Sequence, residues 1–346
     1  MRADLVERLL GVPPGYPSWR VADLAGRAGI LPTWLSTASL RGVELSPAAR
    51  SQLDRVRDRV LELHRVGAEQ ADAHGLTIIK GPRIARYFPP GVLRQSGDVD
   101  LVAPDEESLW DCVLDLAGRY GAVAQGVSVL SGPLDMQVCV TMKWPAAEPH
   151  LDRPLGADVS TVAFAGDLTS VPCRAEAPPE DDLCGLFAVA EERFQRRFRV
   201  KDLLDFLVLS DVVEERLGDA TADVVGARAD ALCLAPELRA LVRKAARRVT
   251  LSSCWQKVLD ELGSLAALEK RRRRAGRPGV PRLRYGFPLD TVPYERRRVE
   301  VHRSHDFDLA ATPLGTCLLV DDPVIAEERL REAVDRAGRI ATRERR

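Results

Sequence analysis

Several features are scarce in this 346-residue chain, and each scarcity excludes something. Long apolar runs are missing. Residues 203–209 (LLDFLVL) come nearest, but Asp205 interrupts them and they fall far short of the roughly 20 residues a membrane-spanning helix needs. Paired cysteines are missing too. Cys112, Cys139, Cys173, Cys184, Cys233, Cys254 and Cys317 form no C-x-x-C pair. That pattern argues against a zinc site or disulfide framework and for reduced, buried thiols in the cytosol. Net charge is nearly absent, with 50 Lys and Arg against 51 Asp and Glu, so no whole-molecule field draws the chain to nucleic acid or an anionic membrane. The five Trp and eight Phe are not interleaved with basic residues in the manner of a base-stacking platform. The opening MRADLVERLL carries acids early and lacks an apolar core, so it does not read as a signal peptide. The expectation is a cytoplasmic protein without a membrane partner. There is no internal repeat and no low-complexity tract.

What is present, 45% apolar and 29% charged residues, describes an ordinary globular chain of one large or two to three ordinary domains. Residues 1–74 read as helical, with Leu53, Val56, Val60 and Leu63 forming one stripe and Ser46-Pro47 a helix start. A core is expected over 75–168. Strands are read at 76–80 and 99–102, a short helix at 82–88, and a helix after Pro104-Asp105 that closes at Gly118 or Gly121. Further strands are read near 122–130, 134–142 and 157–164. Residues 169–268 are again helical, with segments at 184–194, 200–212 and 222–249. Residues 270–274 with Gly276, Pro278 and Pro281 read as an exposed linker into a C-terminal extension, 275–346. That extension has strand-like alternation and a last helix bearing Ile325, Leu330, Val334 and Ala337. The expected fold class is α+β: a small mixed sheet flanked by helical segments, with a C-terminal α/β extension.

The chemistry concentrates in residues 76–102, LTIIKGPRIARYFPPGVLRQSGDVDLV. Asp98 and Asp100 are one residue apart in an apolar run, so on a strand they point to the same face. Two or three carboxylates on one face suit Mg²⁺, which takes oxygen ligands and leaves positions for substrate phosphates. A pair of such ions clamps both the attacking and the leaving oxygen of a displacement. Asp135 in LDMQVCV is the preferred third carboxylate, sharing a polar face with Gln137, and Asp158 in GADVSTV is the competing choice. Gly81 ends a strand and opens a helix, leaving backbone N–H groups for an anion. Lys80 and Arg94 can bring full charges to the β- and γ-phosphates.

The pattern Lys80-Gly81, Tyr87-Phe88-Pro89, Arg94 and Asp98-Val99-Asp100-Leu101-Val102 resembles bacterial nucleotidyltransferase-family proteins of the DNA polymerase β superfamily. The likeness extends more loosely from about residue 20 to 210, taking in LDMQ and the stretch Lys201-Asp202-Leu203-Leu204-Asp205. It implies a polymerase β-like palm and two-metal nucleotidyl transfer. Asp98 and Asp100 carry over as metal ligands and Gly81 as the phosphate-contacting glycine. The departure is Pro82, where many relatives have a second Gly or Ser; proline removes a backbone donor. The resulting expectation is an enzyme using two Mg²⁺ ions and ATP or another NTP. It would move an NMP, most simply AMP, onto a small-molecule, peptide or protein acceptor and release pyrophosphate. The alternatives are a non-catalytic nucleotide-binding or scaffold protein, or a nucleotidyltransferase acting on RNA.

Other clusters have simpler readings. His302, His305, Asp306 and Asp308 contain possible metal ligands, but on a strand residues 302 and 305 face opposite ways. Arg196, Arg197, Arg199 and Lys201 read as a solvated helix face, and Asp202 and Asp205 as helix caps or decoration.

Overall fold

The computed structural model describes residues 5–13, 15–131, 136–276, 282–289, 294–303, 307–321 and 325–344. The chain begins with helices α1 (Leu5–Leu10), α2 (Ser18–Arg27), α3 (Leu31–Leu40) and α4 (Pro47–His74). There follow β1 (Thr77–Ile78), α5 (Pro82–Ala85), β2 (Val99–Val102), α6 (Glu106–Tyr120), β3 (Val123–Ser131), β4 (Gln137–Trp144) and β5 (Leu155–Ser160). Next come α7 (Asp181–Gln195), α8 (Val200–Leu217), α9 (Thr221–Ala231), α10 (Ala235–Ala246) and α11 (Ser253–Arg274). The last elements are β6 (Arg282–Pro288), β7 (Glu300–His302), β8 (Asp308–Thr312), β9 (Gly315–Val320) and α12 (Glu327–Glu344). These divide into two compact units: 1–64, 79–97 and 176–278 in one, and 65–78, 98–175 and 279–346 in the other.

The first unit is helical. Helix α4 starts where Ser46 and Pro47 direct, with the Ser46 hydroxyl accepting from the Ala49 N–H at 3.2 Å. Its stripe Leu53, Val56, Val60 and Leu63 is buried, each residue at 6% exposure or less. Such burial contributes on the order of 1.5–3 kcal/mol per side chain. Helix α5 is a single turn, shorter than the reading of 82–88. The expected helix over 222–249 is two helices, α9 and α10. Cys233 breaks them apart in a left-handed conformation (φ 59°), and Pro236 sits in the first turn of α10. Trp255 on α11 packs edge-on against Phe206 at 5.0 Å between ring centres, and its indole N–H donates to the Ser210 carbonyl.

Residues 270–274 are not a linker. They finish α11, because Arg273 donates to both carboxylate oxygens of Glu237 on α10 (2.9 and 2.8 Å) and to Glu269 one turn back (3.0 Å).

The second unit is organised by one nine-stranded sheet in the order β1-β2-β5-β4-β3-β6-β9-β8-β7, parallel only between β2 and β5. The mixed sheet is therefore larger than expected, because strands β6 to β9 extend it: β6 pairs antiparallel to β3, with Ser128 opposite Tyr285. Helix α6 opens on Asp105, whose carboxylate accepts from the Ser108 N–H at 2.8 Å, and closes on Gly121 at φ 61°. One sheet face is apolar. Val99, Leu101, Val138, Val140, Ala157 and Val159 are all at 1% exposure or less. A side-chain carbon at Gly67 of α4 would come within 2.9 Å of a Val99 methyl, so glycine is what lets this helix lie against β2. Leu309, Leu318, Ala333 and Ala337 form a smaller core where α12 meets the C-terminal strands, while Val334, read as apolar-facing, is 45% exposed.

Candidate functional site

Alternation along β2 sends Val99 and Leu101 to the apolar face and leaves Asp100 half-buried on the other, with exposed Asp98 two residues upstream. The parallel register of β2 against β5 sets Asp100 directly opposite Asp158. The antiparallel register of β5 against β4 then sets Asp158 opposite Thr141, whose hydroxyl donates to the Asp158 carboxylate at 2.6 Å. One row across three strands thus reads Asp100, Asp158, Thr141. In the next row Cys139 lies opposite Ser160, with 2.9 Å between thiol sulfur and hydroxyl oxygen. The Cys139 thiol is pushed up to about 11. Burial is the main cause and the Ser160 hydrogen bond opposes it; the negative charges of Asp158 and Asp100 add to the rise. Both carboxylates therefore act on the same thiol.

Asp158, the competing choice for third carboxylate, stands beside Asp100. Asp135, the preferred choice, lies outside the described residues, as do His305 and Asp306. Asp308 is bound to Arg284. Among the described residues no three His, Cys, Asp or Glu side chains already converge as ligands around one point. Asp100 and Asp158 share a sheet face as register partners, and Asp98 is exposed and lies just before the strand. The donor chemistry of that face, carboxylate and hydroxyl oxygen, suits a hard cation.

The residues expected to hold phosphates are in the helical unit. Gly81 has φ 64° and ψ −110°, a conformation that glycine adopts freely and other residues do not. Pro82 has no N–H, and the Arg83 N–H is directed to the Lys80 carbonyl at 3.4 Å, so the first turn offers few donors to an anion. The Lys80 ammonium donates to Glu192 at 2.6 Å. Arg94 is 5% exposed. Its guanidinium grips both oxygens of Asp205 at 2.8 Å each and donates to Ser96 at 2.8 Å and to the Gly81 carbonyl at 3.3 Å. Arg94 was expected to reach out to phosphate; here it is a strut that holds the glycine in place from below. Asp205, read as decoration, is the base of that strut. Asp202 caps α8, accepting from the Arg199 N–H at 2.6 Å, and binds Arg196 at 2.6 and 3.0 Å. Arg196 and Arg199 accordingly belong to the turn between α7 and α8, and Arg196 is engaged within the protein.

Two residues of the carboxylate face went unnoticed in the sequence, Thr141 and Lys143. Their signal is the alternation Q-V-C-V-T-M-K-W over 137–144, which puts Gln137, Cys139, Thr141 and Lys143 on one side and Val138, Val140, Met142 and Trp144 in the core. Comparison with family models, curated protein sequences and solved structures gave no match. Among the described residues no helix is long and apolar enough to cross a membrane.

Proposed function

We propose that this chain is a Mg²⁺-dependent nucleotidyltransferase. It moves a nucleoside monophosphate, most simply AMP from ATP, to a hydroxyl or carboxylate of a small-molecule, peptide or protein acceptor. The observation that supports the reading best is the register of β2 against β5, with Asp100 opposite Asp158 and Asp98 two residues upstream. Asp98, Asp100 and Asp158 would hold the ions, which when bound neutralise phosphate charge and acidify the attacking hydroxyl. The Thr141 hydroxyl donates to one oxygen of Asp158 and so orients its carboxylate. The acceptor oxygen bonds to the α-phosphorus, the bond to the bridging oxygen of pyrophosphate breaks, and the acceptor proton passes to Asp158.

The test is incubation with ATP labelled at the α-phosphate, Mg²⁺ and a panel of acceptors. Label should transfer, and Asp98→Asn and Asp100→Asn should each lower the rate at least ~100-fold, about 2.7 kcal/mol of barrier. Transfer that survives both substitutions removes the assignment. Comparing Asp158→Asn with Asp135→Asn decides which is the third carboxylate.

One observation favours a second reading, a non-catalytic nucleotide-binding scaffold: Lys80 and Arg94 are engaged with Glu192 and Asp205. Pyrophosphate release by the wild-type chain excludes it.

A further inference from the structure

The carboxylate face carries one cation that no expectation assigned. Lys143 lies on β4 two residues beyond Thr141, and its Cα partner on β5 is Gly156. Lys143 is half-buried, and its side chain bends over that glycine. A carbon placed on Gly156 would fall 2.8 Å from the Lys143 Cδ and 2.9 Å from its Cε, and would collide with the Nζ. The lysine stem therefore lies flat across the neighbouring strand, in space that exists because residue 156 has no side chain. That direction is toward β2: the register pairs Val99 with Ala157, and extending it by one residue sets Asp98 opposite Gly156. The Asp100–Asp158 row is two residues along, roughly 7 Å at strand spacing. Among the described residues the Lys143 ammonium has no hydrogen-bond or ion-pair partner, whereas the Lys80 and Arg94 side chains are both engaged within the helical unit.

We propose that Lys143 is the triphosphate-binding cation of this site, held over Gly156 so that its ammonium meets the nucleotide phosphates beside Asp98 and Asp100. This rests on the nucleotidyltransferase reading. An ammonium on a flexible stem is a point charge suited to phosphate oxygens, which it can follow as charge moves from the α-phosphate to the departing pyrophosphate. Asp98 and Asp100 alone would repel a tetra-anionic nucleotide, and metal ions offset part of that charge; the lysine offsets more. Gly156 serves as a positioning residue, because any side chain there evicts the lysine.

The experiment measures binding of the α,β-methylene analogue of ATP with Mg²⁺, by titration calorimetry, alongside KM for ATP and KM for the acceptor. Lys143→Met should weaken analogue binding and raise KM for ATP at least ~10-fold while leaving KM for the acceptor within 2-fold. Lys143→Arg should recover part of the loss. Gly156→Ala, which keeps the lysine but displaces it, should move nucleotide binding in the same direction, and melting curves of each variant establish that it folds. Unchanged analogue affinity in folded Lys143→Met, or a loss confined to the acceptor, overturns the assignment. If that happens while Asp98→Asn still abolishes transfer, only the role of Lys143 falls. A wild-type chain that binds no nucleotide removes both proposals.

Discussion

Removing the carboxylate of Asp205 should destabilise the helical unit more than any exposed ion pair could. The Arg94 and Asp205 side chains are 5% and 3% exposed, and the two parallel hydrogen bonds between them are 2.8 Å each. In such a place the intact pair contributes little net stability, because desolvating both ions offsets their attraction. Breaking it is different. Asp205→Ala leaves a guanidinium, which does not lose its proton, buried without its bidentate carboxylate, beside neutral groups that include Ser96 and the Gly81 carbonyl. The expected cost is about 3–5 kcal/mol, a large part of the roughly 5–15 kcal/mol that holds a domain folded. The double variant Arg94→Met/Asp205→Leu removes both charges and keeps the volume, so it should recover most of that loss. Urea denaturation of the three variants, followed by far-ultraviolet circular dichroism, measures both quantities. A loss under ~1 kcal/mol for Asp205→Ala, or a double variant as unstable as the single one, would refute the argument that an uncompensated buried charge dominates here.

Two further outcomes follow from the packing and the electrostatics. Gly67→Ala gains about 1 kcal/mol of helix propensity but pushes a carbon to within 2.9 Å of the Val99 methyl, and overpacking costs about 1–3 kcal/mol. The denaturation midpoint should fall, and Gly67→Ala/Val99→Ala should relieve the collision; a midpoint that rises in the single variant counts against close packing at Gly67. His64 titrates at about 4, lowered from 6.5 by burial first and by the Arg94 charge second. The unfolded chain therefore binds a proton on His64 that the folded one refuses, so stability falls as pH drops from 6.5 toward 4. Replacing His64 with Gln should flatten that limb, and Arg94→Met should move the His64 imidazole resonance titration upward. A titration midpoint near 6.5 in the wild type would contradict this.

Features set by neighbours in the chain were legible in the sequence. Ser46 and Asp105 as caps, Gly121 as a left-handed stop, and the stripe Leu53 to Leu63 each depend on residues within about three turns of one another. Strand β2 was read at its observed bounds, since VDLV between Gly97 and Pro104 has both alternation and punctuation. The features that escaped depend on distant partners. Residues 270–274 look like a solvated basic run until Glu237, more than thirty residues earlier, folds back to bind Arg273. Residues 282–320 carry strand-like alternation, but nothing local says that β6 joins β3 across some 150 residues. The break between α9 and α10 had a local mark in Pro236, hidden in an Ala- and Leu-rich stretch whose composition favours one continuous helix.

The candidate site divides along the same line. The period of a strand predicts that Asp98 and Asp100 share a face; β2 begins at Val99, so the observed alternation covers Asp100 and leaves Asp98 just before it. Which third carboxylate stands beside them is not predicted that way, because it depends on how far β5 slides along β2, and a shift of one residue would turn Asp158 into the core. The observed register puts Asp158 opposite Asp100. Arg94 shows the converse. Its place four residues before Asp98 made it read as a phosphate ligand, but sequence spacing cannot distinguish a cation aimed at substrate from one aimed at a buried acid. Asp205 decides the matter: a bidentate partner at 3% exposure consumes the directional donors that phosphate would need. The positive charge proposed for the nucleotide then comes from Lys143. In the sequence it is an ordinary polar position in an alternating strand, and its meaning appears only with Gly156, the residue whose missing side chain leaves room for it. In this chain the pair of aspartates is visible as a motif, whereas the neighbours of Asp100 across the sheet, Asp158 and then Thr141, are consequences of strand register.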